Sequence, residues 1–125
     1  MKNDEYKSLV GYYGRIAHTE YVFPEYKDDK YIMYAEHCIE DKDGVLTLIS
    51  DDNKHKCKIK REHFFVFGKP KFKLGDHIRS LDGKHDGIVF YICWHYNRQT
   101  FFYYLDYGTR QSTNWNFEED MEKVD

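Results

Sequence analysis

Apolar positions along this chain gather in short strand-length runs, some alternating with polar residues at a period of two, and polar turn segments separate them. Before the midpoint the pattern predicts strands over Tyr31–Ile39 (YIMYAEHCI), Val45–Ser50 (VLTLIS) and Lys56–Lys60 (KCKIK). After it come His77–Ser80 (HIRS), Gly87–Tyr96 (GIVFYICWHY), Thr100–Asp106 (TFFYYLD) and Ser112–Trp115 (STNW). The intervening EDKDG, DDNKH, DGKHD, NRQ and YGTRQ segments concentrate Asp, Asn and Gly, which turn the backbone by local hydrogen bonding or by tolerating positive φ. Helical spacing is nearly absent, and only REHFF (61–65) and NFEEDME (116–122) suggest short helical turns. The expected class is therefore all-β, with short helical turns only.

The segment FGKPK (67–71) is the clearest boundary, since Pro70 cannot donate to a strand ladder. It separates a first unit over residues 1–67 from a second over 71–125, with 68–70 as linker. Laid over each other without a gap, so that Ile32 meets Ile88, the halves share an apolar pattern. Tyr34 then falls on Phe90, Cys38 on Trp94, Leu48 on Tyr104, Ile59 on Trp115 and Phe65 on Met121. GRIA (14–17) would correspond to GDHIR (75–79). Two copies of one small five-strand unit, packed together, are expected.

Composition sharpens this. With aromatic residues at 18% of 125 positions, bulky rings must fill much of two small cores. A net charge of −3 weighs against a polyanion partner, whose phosphates reward a basic excess. The exception is the run Lys54, Lys56, Lys58, Lys60 and Arg61, a candidate nucleic-acid face. Three cysteines, odd in number and without a CxxC pair, fit free thiols in a reducing compartment. The opening MKNDEYKSLV lacks the apolar stretch of a leader, so a cytoplasmic location away from membranes is expected. Neighbours His37 and Cys38 point to opposite faces of a strand, whereas Cys93 and His95 share one, and two zinc-type ligand pairs cannot be assembled. No phosphate loop, nucleophile elbow or dinucleotide fingerprint occurs. No metal, no cofactor and no catalytic residue are expected, and the chain is not read as an enzyme.

The run KFKLGDHIRSLDGKHDGIVF, with its Gly75-Asp76 turn and Gly-led strand, resembles the opening of Src-homology-3-like small barrels, including the Tudor kind. The closing EEDME resembles their final one-turn helix. Residues Pro70–Glu122, through LGDHIRS, CWHY, TFFYYLDYG and NFEEDME, also resemble a family of small bacterial proteins of unknown function. That family is lysine-rich where this chain reads DYGTRQSTNW. LDYG is similar to the Asp-Tyr-Gly strand end of Tudor domains, which implies a cation cage from Tyr91, Tyr103, Tyr104 and Tyr107 with Asp106 as charge partner.

The expected function is a non-enzymatic binding module, a protein–protein adaptor or inhibitor, and an immunity-type protein neutralising a toxin would fit. Its partner-binding residues are expected to be Tyr91, His95, Tyr103, Tyr104 and Tyr107, on a monomer or weak homodimer. A nucleic-acid-binding barrel using residues 54–61 is the alternative.

Overall fold

The computed structural model describes residues 8–125, so the opening Met1–Lys7, on which the leader expectation partly rests, lies outside the described part. The chain divides into two compact units, the first ending at Lys69 and the second spanning Pro70–Asp125. Both are built from antiparallel strands, and the helical elements among the described residues are isolated three-residue 3-10 turns. The all-β class is thus observed. None of these helices is long and apolar enough to cross a membrane.

The first unit contains β1 (Tyr13–Ile16), β2 (His37–Lys42), β3 (Val45–Ile49), β4 (Lys56–Lys60) and β5 (Phe64–Gly68), in the sheet order β4-β3-β2-β1-β5. The second contains β6 (His77–Ser80), β7 (Asp86–His95), β8 (Thr100–Asp106), β9 (Gln111–Phe117) and β10 (Met121–Lys123), ordered β10-β6-β7-β8-β9. In chain order these are one topology written twice. Four strands meander, and a fifth returns antiparallel beside the first.

The resemblance extends to single hydrogen bonds. Gly11 N donates to Cys38 O at 2.8 Å and Cys38 N to Tyr12 O at 3.0 Å; Gly75 N donates to Val89 O at 2.8 Å and Val89 N to Asp76 O at 2.9 Å. Gly11 and Gly75 reach φ +91° and +88°, a left-handed region that a side chain would disfavour. One residue later in the ladder each second strand bulges, β2 between Cys38 and Glu40 and β7 between Val89 and Tyr91. A 3-10 turn follows each fourth strand, Arg61–His63 in one unit and Glu118–Asp120 in the other. Phe64 and Met121 then enter the two cores at 1% and 3% exposure.

The ungapped superposition expected from the sequence does not survive. It sets buried Ile59 on exposed Trp115, and exposed Phe65 on buried Met121. By strand register the counterpart of Ile59 is Asn116, and that of Phe64 is Met121. The cause is unequal hairpin length: β7 and β8 run 10 and 7 residues where β2 and β3 run 6 and 5, so the counterparts drift out of register across that hairpin. The loops before it differ as well. The β1–β2 connection runs through 3-10 turns at Thr19–Tyr21, Pro24–Tyr26 and Ile32–Tyr34, whereas β6 and β7 are joined by one tight turn. Within the first of these connections lies a second correction: Tyr31–Ile39 is not one strand. Asp29 Oδ1 accepts from Tyr31 N at 2.9 Å and Asp29 O from Ile32 N at 3.2 Å, which holds Ile32–Tyr34 in a turn. The strand starts only at His37.

Burial follows the pleat. Leu46, Leu48, Cys38, Cys57 and Ile59 are fully buried in the first unit, as are Ile78, Tyr103 and Leu105 in the second, with Phe72 at 1%. Removing one such aliphatic or aromatic side chain from water stabilises by about 1.5–3 kcal/mol. Packing is close enough that a Cβ on Gly14 would sit 2.1 Å from Phe65 O, so β1 and β5 meet only because residue 14 has no side chain.

Candidate binding surface

Beyond the β7 bulge, Tyr91, Cys93 and His95 occupy one face of the strand, because alternate residues share a face. Their cross-strand neighbours on β8 are Tyr104, Phe102 and Thr100, and Phe102 in turn lies opposite Phe117 of β9. The rings interlock. His95 meets Phe102 at 6.2 Å, Trp115 at 5.5 Å and Phe117 at 5.5 Å, all edge-on. Phe102 lies 5.0 Å from Trp115 and 5.6 Å from Phe117, and Tyr91 and Tyr104 stack at 5.6 Å. These offset and edge-to-face arrangements are the ones aromatic quadrupoles favour.

Polar groups hold the cluster in place. Arg98 N donates to His95 Nδ1 at 3.1 Å, which leaves that nitrogen as an acceptor. The Arg98 guanidinium lies 3.7 Å over the Phe117 ring and donates to Glu119 at 2.5 Å. Burial, and then the neighbouring Cys93, push the Tyr104 hydroxyl above its ordinary range, opposed by a hydrogen bond with the Trp115 side chain. Trp115 is nevertheless 57% exposed. The result is a large indole, supported from behind by Phe102 and fixed in orientation, at the surface of the β7–β8–β9 sheet.

The expected site residues fall in three places. Tyr91, His95 and Tyr104 belong to this surface. Tyr103 does not: it is completely buried, edge-on to Phe72 at 5.3 Å, and its hydroxyl donates to Glu118 Oε1 at 2.6 Å. Burial first, and Glu118 second, raise its hydroxyl far above the usual range. Adjacent residues of a strand face opposite ways, so Tyr103 and Tyr104 cannot both serve one surface. Tyr107 lies beyond β8, its hydroxyl 3.2 Å from His85 Nδ1 and its ring beneath Arg110. The implied cage of Tyr91, Tyr103, Tyr104 and Tyr107 is therefore not assembled, and Asp106 instead accepts from Gly108 N at 2.8 Å. Phe102, Trp115, Phe117 and Arg98 were absent from the expectation, although the period-two continuation into Trp115-x-Phe117 carried the signal.

The basic run also divides. Lys56, Lys58 and Lys60 alternate with the buried Cys57 and Ile59 and so share the outward face of β4. Lys54 sits in the preceding turn, where its N–H donates to Asp52. Arg61 faces elsewhere, 3.3 Å from the Asp41 carboxylate, whose side chain is only 6% exposed. Burial pushes the Cys38 and Cys57 thiols up to about 11 and about 12. Among the described residues no cluster of three or more His, Cys, Asp or Glu side chains could hold a metal ion.

No protein-family model matches the chain, and no curated protein or solved structure is similar enough to match it.

Proposed function

We propose that this protein is a non-enzymatic binding module, acting in the cytoplasm, that engages a protein partner through the aromatic face of β7, β8 and β9. The observation that carries the proposal is Trp115, a mostly exposed indole held by Phe102, His95 and Phe117. Trp, Tyr and Arg dominate the energetics of protein interfaces, and a preorganised ring loses little entropy on binding. Exposing such a ring costs the free protein hydrophobic stabilisation, which a partner covering it would recover. The repeated strand order and the 3-10 turn before each fifth strand support the resemblance to tandem Src-homology-3-like barrels. The adaptor or inhibitor role, including the immunity-type one, follows from that reading.

A second reading is favoured by one observation, the outward row of Lys56, Lys58 and Lys60. It makes the first unit a nucleic-acid face.

The test is affinity capture from a lysate of the native cells, with wild type and Trp115→Ala as paired baits, each with and without nuclease. The aromatic reading expects one stoichiometric protein that the variant loses while its circular dichroism is unchanged. Equal capture by both baits overturns it, and recovery of nucleic acid in untreated lysate that vanishes at higher salt supports the lysine face.

A further inference from the structure

The second sheet ends at β9, and across from that edge stand the β6–β7 turn and the Glu118–Asp120 turn. Between them is an open cleft of about 590 Å³, lined among others by Leu81, Asp82, His85, Trp115, Phe117 and Asp120. A volume of roughly 300–1,000 Å³ is what sites for specific ligands usually offer. Leu81 at 65% and Trp115 at 57% exposure are large apolar side chains standing in water at its rim.

Its charge is one-sided. The lining contains two carboxylates and no Lys or Arg. Asp82 is fixed by its turn: Ser80 Oγ donates to Oδ1 at 2.6 Å and Lys84 N at 3.0 Å, and these bonds hold the carboxyl below its ordinary range. The Asp120 side chain makes no hydrogen bond or ion pair among the described residues; only its backbone oxygen is engaged, by Leu81 N at 2.9 Å. His85, the lining group able to become cationic, has its Nδ1 beside the Tyr107 hydroxyl.

We propose that this cleft receives an Arg or Lys side chain carried on an exposed segment of the protein partner. The inference rests on the protein-binding reading above and deepens it, since Trp115 belongs to both surfaces. The cation's alkyl stem packs between Leu81 and Trp115, its head lies against the indole face, and Asp82 and Asp120 supply the opposite charge. Two carboxylates in a lining without Lys or Arg give the complementarity that selects such a segment.

The experiment titrates ¹⁵N-labelled full-length protein with the blocked tripeptide Gly-Arg-Gly, using Gly-Gln-Gly and Gly-Glu-Gly as controls. The proposal expects saturable shifts of the Trp115 indole N–H and the amides of residues 81–85 with the arginine peptide alone. Asp120→Asn, which breaks no contact of the fold, should weaken that binding at least fivefold, and 0.5 M salt should weaken it further. Equal shifts with the glutamine peptide, shifts confined to other residues, or no shifts at all would overturn it. Failure here with partner capture still lost in Trp115→Ala removes the cleft and leaves the aromatic surface standing. Capture indifferent to Trp115→Ala removes the aromatic reading itself, whatever the peptides do.

Discussion

Glu36→Gln should make the protein more stable at pH 8 and leave it unchanged near pH 4.5. Glu36 leads into β2, its backbone held by Gly14 N donating to its oxygen and by its own N–H donating to Tyr34 O, each at 2.9 Å. Burial first, and the charge of Asp51 second, push its carboxyl from 4.5 up to about 7. Alongside, His37 stacks on Tyr13 at 4.6 Å, and the Tyr13 hydroxyl donates to Asp51 at 2.6 Å. Between pH 4.5 and 7 the folded state therefore binds a proton that the unfolded chain has released. Stability falls as pH rises through that window and stays low above it. A shift of this size corresponds to on the order of 3 kcal/mol at pH 8. Glutamine keeps the shape and is neutral at every pH, so the penalty disappears. Burial pushes His37 in the opposite sense, down, and its acid-side destabilisation is common to both proteins. The difference in calorimetric transition temperature between variant and wild type isolates Glu36. It should grow from near zero at pH 4.5 to a stabilisation of several degrees at pH 8. A difference independent of pH, or a variant less stable at pH 8, would refute the assignment.

Gly14→Ala should lose about 3 kcal/mol or fail to form β1–β5, since the new methyl meets the Phe65 carbonyl rather than a movable side chain; loss of amide protection along β5 would report it. Tyr103→Phe should cost about 1–2 kcal/mol by urea unfolding, because Glu118 and Phe72 N lose their shared partner while the ring still fills the core. Native protein at pH 8 should react with a thiol reagent at no more than one of its three cysteines, since Cys38 and Cys57 are buried and hold their protons; full labelling should require denaturant.

What the sequence discloses is what the pleat writes into it. Cys57 and Ile59 between lysines, or Leu46 and Leu48 in β3, announce a strand and its inner face directly. Parity fails where the pattern is apolar on both faces. In Phe101-Phe102-Tyr103-Tyr104 every residue can be core, and only the register with β7 and β9 shows that Tyr103 goes in and Tyr104 out. Bulges after Cys38 and Val89 shift that parity by one, which no local composition signals. The repeat was legible as a count of strands and illegible as an alignment, because its hairpins and the loops before them differ in length. One local motif misleads about the repeat. Ser50-x-Asp52-x-Lys54-His55 and Ser80-x-Asp82-x-Lys84-His85 make the same turn, each serine bonding its aspartate and receiving the histidine N–H at 3.0 Å. Yet the first joins the third and fourth strands of its unit, and the second joins the first and second. Short-range side-chain bonding writes the turn, and the surrounding apolar runs decide which strands it connects.

The most direct measurement places a photoreactive amino acid at position 113, the exposed position beside Trp115 on the same face of β9, in one protein and at position 58 in another, and irradiates each in its native cells. The account predicts a single protein adduct from position 113 and none from position 58. Adducts to nucleic acid from position 58, with position 113 silent, would contradict it.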